Sequence, residues 1–245
     1  MRLLTVLLAA LVCSSAFAQQ DIDAIDRTSG IIPSLRLGFG IAGEPTTLGP
    51  AVPHGGHGIE LGLSGGSGED TQTLSVGEPV VVFGGRVFNT AGTLQHEFDF
   101  GFLEVAYRYR RFFGESKVFG IEALGGLGIA SLELTTTSAT ARASDKLENW
   151  GLVGGFGIVW KFLPATSLQS RITLFGSGER EGVTGAARVD LHVAHAVARN
   201  IALRAGVVSW GIVSQRAGED DDNDSINSRI RAGLSGLSLG LDVAF

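Results

Sequence analysis

From Ile31 onward, apolar and polar residues alternate with a period of two, the mark of strands whose two faces meet different surroundings. Leu35, Leu37, Phe39 and Ile41 share one face, and Arg36, Gly38, Gly40 and Ala42 the other. Ile59, Leu61 and Leu63 alternate with Glu60, Gly62 and Ser64. A third, less regular run covers 80–88, with Pro79 at its start, where a missing N–H is tolerated. Similar runs at 95–113, 118–134, 150–162, 168–175, 189–197, 201–212 and 230–245 bring the candidate strands to ten.

In the 95–113 run, Phe98, Phe100 and Phe102 have one parity, while Val105, Tyr107 and Tyr109 have the other. Keeping all of them on one face requires an extra residue near Phe102 and Leu103, so a β-bulge is expected there. The connections at 113–117, 163–166 and 198–200 are short, whereas those near 43–55, 136–148 and 216–227 are longer and polar. Short turns on one rim and long loops on the other are the plan of outer-membrane barrels. An even strand count would bring both chain ends to the same, periplasmic rim.

A soluble sandwich or lipocalin-like barrel would alternate too, so the question is what the apolar face meets. Trp150, Leu152, Gly154, Phe156, Ile158, Trp160 and Phe162 lie on one face. At about 3.3 Å per residue and a tilt near 40°, the two tryptophans stand roughly 25 Å apart along a barrel axis, the height of a lipid-facing band with an aromatic at each interface. Trp150 and Trp160, with Tyr107 and Tyr109, are the expected interface girdle. The opposite parity carries Arg36, Glu104, Arg108, Glu122, Arg171, Arg188, Asp190 and Arg204, accompanied by Glu60, Arg86, Arg110, Lys161, His192 and Asp242. Such mixed charge is costly in a dry core unless paired, and it suits a barrel lumen in which opposite charges and water satisfy one another.

Composition narrows the alternatives. The 245 residues include 36 glycines, and each glycine inside a helix costs about 1 kcal/mol relative to Ala, which argues against a helical bundle. Beyond the first residues no apolar run approaches the roughly 20 that a spanning helix needs. A net charge of -6 makes nucleic acid a poor partner. Residues 1–18 combine one Arg, an apolar stretch and a small-residue end at Ala16-Phe17-Ala18, the pattern of a secretory signal cleaved near Ala18. The lone Cys13 falls inside it, so the mature chain would hold no thiol, disulfide or zinc-cysteine site. Residues 19–31 read as a periplasmic tail or small plug, and 32–245 as the barrel.

The last residues, with Leu237, Leu239, Leu241 and Val243 alternating up to the terminal Phe245, resemble the C-terminal signal of bacterial outer-membrane barrels. That resemblance makes Leu241, Val243 and Phe245 the expected contact with the barrel assembly machinery. The stretch Val105-Ala-Tyr-Arg-Tyr-Arg110, followed by a turn and a glycine-rich strand, resembles the small OmpA/OmpX-type families. The expected fold is a transmembrane up-and-down antiparallel barrel of eight to ten strands, ten favoured; small members of these families commonly have eight, and a hairpin outside the barrel would account for the difference. The resemblance implies the Gram-negative outer membrane, lipid and lipopolysaccharide as surroundings, and a structural, surface-interaction or narrow-pore role. No cofactor is implied.

Two constellations bear on chemistry. Asp190 and His192 share one face of a strand, as do Glu97 and Asp99, an arrangement that resembles the acid and Asp-His pairs with which omptin-type membrane proteases activate water. The first acid is Glu rather than Asp, and ion pairing of these groups with Arg188 and Arg108 is the plainer reading. In 219–225, Asp220, Asp222 and Asp224 offer carboxylates to a divalent ion but lack the glycine and distal Glu of an EF-hand loop. His54 and His57 flank two glycines in an expected extracellular loop and are more readily incidental than metal ligands.

Overall fold

The computed structural model describes residues 22–29, 34–41, 55–75, 81–83, 86–88, 91–179, 182–198, 201–216 and 228–244. Side chains of the first two strands lie outside the described residues, as do the signal segment and Phe245. The strands are β1 (Ile22–Ser29), β2 (Ser34–Ile41), β3 (Gly56–Leu74), β4 (Val81–Phe83), β5 (Arg86–Phe88), β6 (Gly92–Phe113), β7 (Phe119–Thr137), β8 (Arg142–Leu163), β9 (Thr166–Glu179), β10 (Gly182–Ala198), β11 (Ile201–Arg216) and β12 (Ser228–Ala244). No described residue is helical.

Eight long strands, β3 and β6 to β12, run up and down in sequence order and form a nearly closed antiparallel barrel. The gap between β3 and β12 is filled from the N-terminal side. β2 pairs antiparallel with β3 and parallel with β12, and β1, within the segment read as a tail, runs parallel to the first half of β12. The 80–88 run does not join the ring. It forms β4 and β5, a separate two-stranded hairpin whose Phe88 is buried in the barrel's apolar cluster. Ten ring strands are therefore not reached.

Removing 80–88 from the ring reverses the expected direction of everything before it. Ile22 begins beside Ile230 at one rim, and Ala244 ends beside Gly40 at the other, so the described chain ends lie at opposite rims. Gly56 stands beside Arg110 and Ile41 beside His57, so the end of β2 and the start of β3, with His57, lie at the rim of the short turns instead of at that of the long loops. His54 itself lies outside the described residues.

The expected bulge is absent. β6 keeps an unbroken register with β3 from Gly92 to Arg110 and with β7 from Gln95 to Phe113. Phe98, Phe100 and Phe102 point inward together with Glu104, Ala106, Arg108 and Arg110. What changes along β6 is the polarity of the two sides. Toward the short-turn rim the exterior is Leu103, Val105, Tyr107 and Tyr109 around a charged interior; toward the other rim it is Gln95, Glu97 and Asp99 around an aromatic interior. Neighbouring strands swap alike: β7 carries Leu127 and Ile129, then Glu133 outside, and β8 carries Glu148, then Trp150 and Leu152.

The expected long loop at 136–148 is mostly strand. β7 and β8 continue to Thr137 and from Arg142, and a tight turn joins them, in which Ser138 N–H donates to Ala141 O at 2.7 Å and Ser138 Oγ accepts from Ala141 N–H at 2.9 Å. β9 pairs with β8 only from Leu152 to Leu163, so β3, β6, β7 and β8 rise as a wall beyond the apolar band. Inward glycines permit tight curvature. A Cβ on Gly126 would run into the Val105 carbonyl oxygen, and one on Gly206 into that of Leu191.

Candidate functional site

The barrel interior gathers most of the groups singled out from the sequence. Five guanidinium groups, Arg108, Arg110, Arg171, Arg188 and Arg204, face five carboxylates, Glu60, Glu104, Glu122, Asp190 and Asp242. Alternation on seven strands brings them inward, and the described set sums to zero charge. Glu60 is the hub. Its Oε1 accepts from Arg108 Nη1 at 2.7 Å and Arg171 Nη2 at 3.1 Å, and its Oε2 accepts from Arg171 Nη1 at 2.5 Å. Glu122 takes Arg171 Nε at 2.6 Å through one oxygen, and Arg110 Nε and Nη2 at 3.0 and 2.6 Å through the other. Arg204 pairs with Asp242 at 3.0 Å. These charge-assisted contacts are short, as such bonds are when both partners are ionised.

Arg188 is the junction between this layer and the apolar one. It donates to Glu104 at 2.7 Å and to Asp190 at 3.0 Å, and its guanidinium lies 5.0 Å from the Trp210 ring. Trp210 packs edge-on against Phe100 and Phe102, and Phe102 against Phe175. With Leu132, Leu134, Val153, Val208 and Ile212 these side chains fill the barrel beyond the ions. A buried aromatic plug thus lies in series with a neutral ionic layer.

The protease-like set is not assembled. Asp190 and His192 face the interior, fully or nearly buried; Asp190 Oδ2 is held by Arg188, and His192 Nε2 contacts Ser238 Oγ at 2.9 Å. Glu97 and Asp99 are on the exterior of β6, where Glu97 sits opposite Glu69 and Asp99 opposite Glu133. The four stand on the two sides of the barrel wall because β6 has no bulge. Of the other expected residues, Trp150 and Trp160 are on the exterior, 65% and 50% exposed, as are Tyr107 and Tyr109. Leu241 and Val243 are half-buried on β12. Asp220, Asp222 and Asp224, and the side chains of Arg36 and Arg86, lie outside the described residues. Among the described residues no cluster of three or more His, Cys, Asp or Glu is placed to hold a metal.

Among the described residues, one buried ionisable group was not singled out by the sequence. His96, inward on β6 between Leu94 and Phe98, contacts Thr136 Oγ1 through Nδ1 at 2.9 Å, and its Nε2 is buried without a partner. Burial holds its pKa below the usual 6.5, with Asp70, its cross-strand neighbour, opposing the shift. Its only sequence signal was parity within β6, which the expected bulge obscured. Compared with known proteins, the chain matches no family model, no curated protein and no solved structure.

Proposed function

We propose that this chain is a small outer-membrane barrel of the OmpA/OmpX-like kind, closed to ions, whose role is structural and surface-interactive. The observation that carries the reading is the inside-out band. Leu103, Val105, Leu127, Ile129, Trp150, Leu152, Phe156 and Ile158 are exposed around an interior of buried ion pairs. A water-soluble barrel of this size would bury such residues, whereas lipid on the outside makes their exposure favourable. In this reading the N-terminal signal directs export, Leu241, Val243 and Phe245 engage the assembly machinery, and outer-membrane lipid and lipopolysaccharide surround the band. The wall of β3, β6, β7 and β8, polar outside and aromatic within, projects beyond lipid and offers the surface for partners.

Three tryptophans provide the test. In vesicles carrying bromine-labelled acyl chains, single-tryptophan variants retaining Trp150 or Trp160 should be quenched, and one retaining only Trp210, which is 3% exposed, should be spared. Equal quenching of all three, or none, overturns the lipid reading. In planar bilayers the plugged lumen should give no discrete conductance steps, and regular steps would restore the narrow-pore role.

A further inference from the structure

At the short-turn rim, the exterior of β3 and β6 carries a polar group on an otherwise apolar face. His57 and Tyr109 are cross-strand partners with ring centroids 5.2 Å apart, and His57 Nδ1 is hydrogen-bonded to the Tyr107 hydroxyl. Two residues beyond Tyr109, on the same exterior parity, comes Arg111, exposed and without an ion pair among the described residues. His57, Tyr109 and Arg111 thus share the exterior face of β3 and β6 at this rim. The Tyr109 hydroxyl and the Arg111 guanidinium offer hydrogen-bond donors on this face.

We infer that this face, with Arg111 at its edge, binds the phosphate of an anionic phospholipid whose acyl chains lie along the apolar band. The inference rests on the membrane reading above. Donors alone would suit any anion; the commitment to a lipid comes from continuity, since Tyr107, Ile59 and Val105 lead directly from these residues onto the exposed apolar face. Arg111 supplies the planar fork that matches phosphate oxygens, and aromatic residues with one wet and one apolar end suit the headgroup level. The opposite end of the same two strands has Glu69, Glu97 and Asp99 outside, which would repel such a headgroup.

The experiment uses the folded full-length protein in mixed vesicles of phosphatidylglycerol and phosphatidylcholine, with native mass spectrometry of the lipids retained after extraction. Wild type should retain phosphatidylglycerol in preference to phosphatidylcholine, whose own cation offsets its phosphate. Arg111→Ala should reduce that preference about fivefold, the scale of one exposed charge pair. Arg111→Lys should fall between, and Lys146→Ala at the far rim should change nothing. Heat-dependent mobility in detergent gels verifies that each variant is folded. Equal retention of the two lipids by an inserted wild type, or an unchanged preference in Arg111→Ala, overturns the site alone. Displacement of the lipid by inorganic phosphate overturns the lipid as ligand. Failure to insert into vesicles of any composition overturns the membrane reading, and the site with it.

Discussion

Replacing Glu60 with Gln tests whether the interior is held by paired charge. Glu60 touches two guanidinium groups at 2.7 and 2.5 Å, with Arg204 Nη1 at 3.9 Å. At an effective dielectric near 20, each short contact is an attraction of about 6 kcal/mol, most of it offset by removing the ions from water. The net cost of deleting one partner is set by what remains. Five guanidinium groups would face four carboxylates, and Arg108 would lose its 2.7 Å partner, keeping Asp242 at 3.9 Å. Leaving a buried charge uncompensated typically costs about 3–5 kcal/mol. Reversible urea titration of folding into vesicles, followed by tryptophan fluorescence, should therefore show Glu60→Gln destabilised by that amount. Glu133→Gln on the exterior should stay within about 0.5 kcal/mol of wild type. Adding Arg108→Gln to Glu60→Gln restores neutrality and should recover about 1–3 kcal/mol, the range of coupling between contacting residues. A Glu60→Gln cost below about 1 kcal/mol, with no coupling to Arg108, would mean that water and not pairing satisfies the lumen, refuting the reasoning.

Three further outcomes follow from other residues. Gly126→Ala drives a Cβ into the Val105 carbonyl, whereas Gly125→Ala meets nothing within 4 Å; the first should lower the urea midpoint strongly, and the second should raise stability by about 0.4–1 kcal/mol. Because the folded-state pKa of His96 is depressed, its neutral form contributes stability above pH 6.5 that is lost as pH falls through the lower folded value. Amide exchange over 94–98, corrected for intrinsic rates, should rise in that window in wild type and stay flat in His96→Gln. Trp210→Ala removes the ring that Phe100, Phe102 and Arg188 pack against and should cost about 3–5 kcal/mol in the same urea titration.

Most of the barrel is legible in the sequence because a period of two is local: each strand declares its own alternation. The outward set of β8 and the inward Arg171, Arg188, Asp190 and Arg204 needed nothing more. What alternation does not reveal is which solvent each face meets at each height. On β6 the aromatic parity switch at Phe102 reads as a bulge when one face is taken to be apolar throughout, but it marks the level where outside and inside exchange polarity. The 80–88 run was ambiguous for a different reason, since three-residue strands carry too little pattern to separate a stave from a hairpin. The role of Glu60 as hub was equally hidden, because its partner Arg171 is 111 residues away and pairing across a lumen leaves no local trace.

The seam between β2 and β12 has a consequence for how the molecule is built. Leu35 meets Leu239 there, in a parallel pairing that no tight turn can supply. Apart from β1, which also runs parallel to β12, the joints of the barrel link ring strands that succeed one another and can zip as hairpins while synthesis proceeds. The free edge of β12 must wait for a segment about 200 residues earlier, whose return carries the largest loop-closure entropy in the fold. The segment made first is thus among the last to gain its second neighbour. Until it does, the nascent barrel is an open sheet whose unpaired edge can close on itself or on another chain.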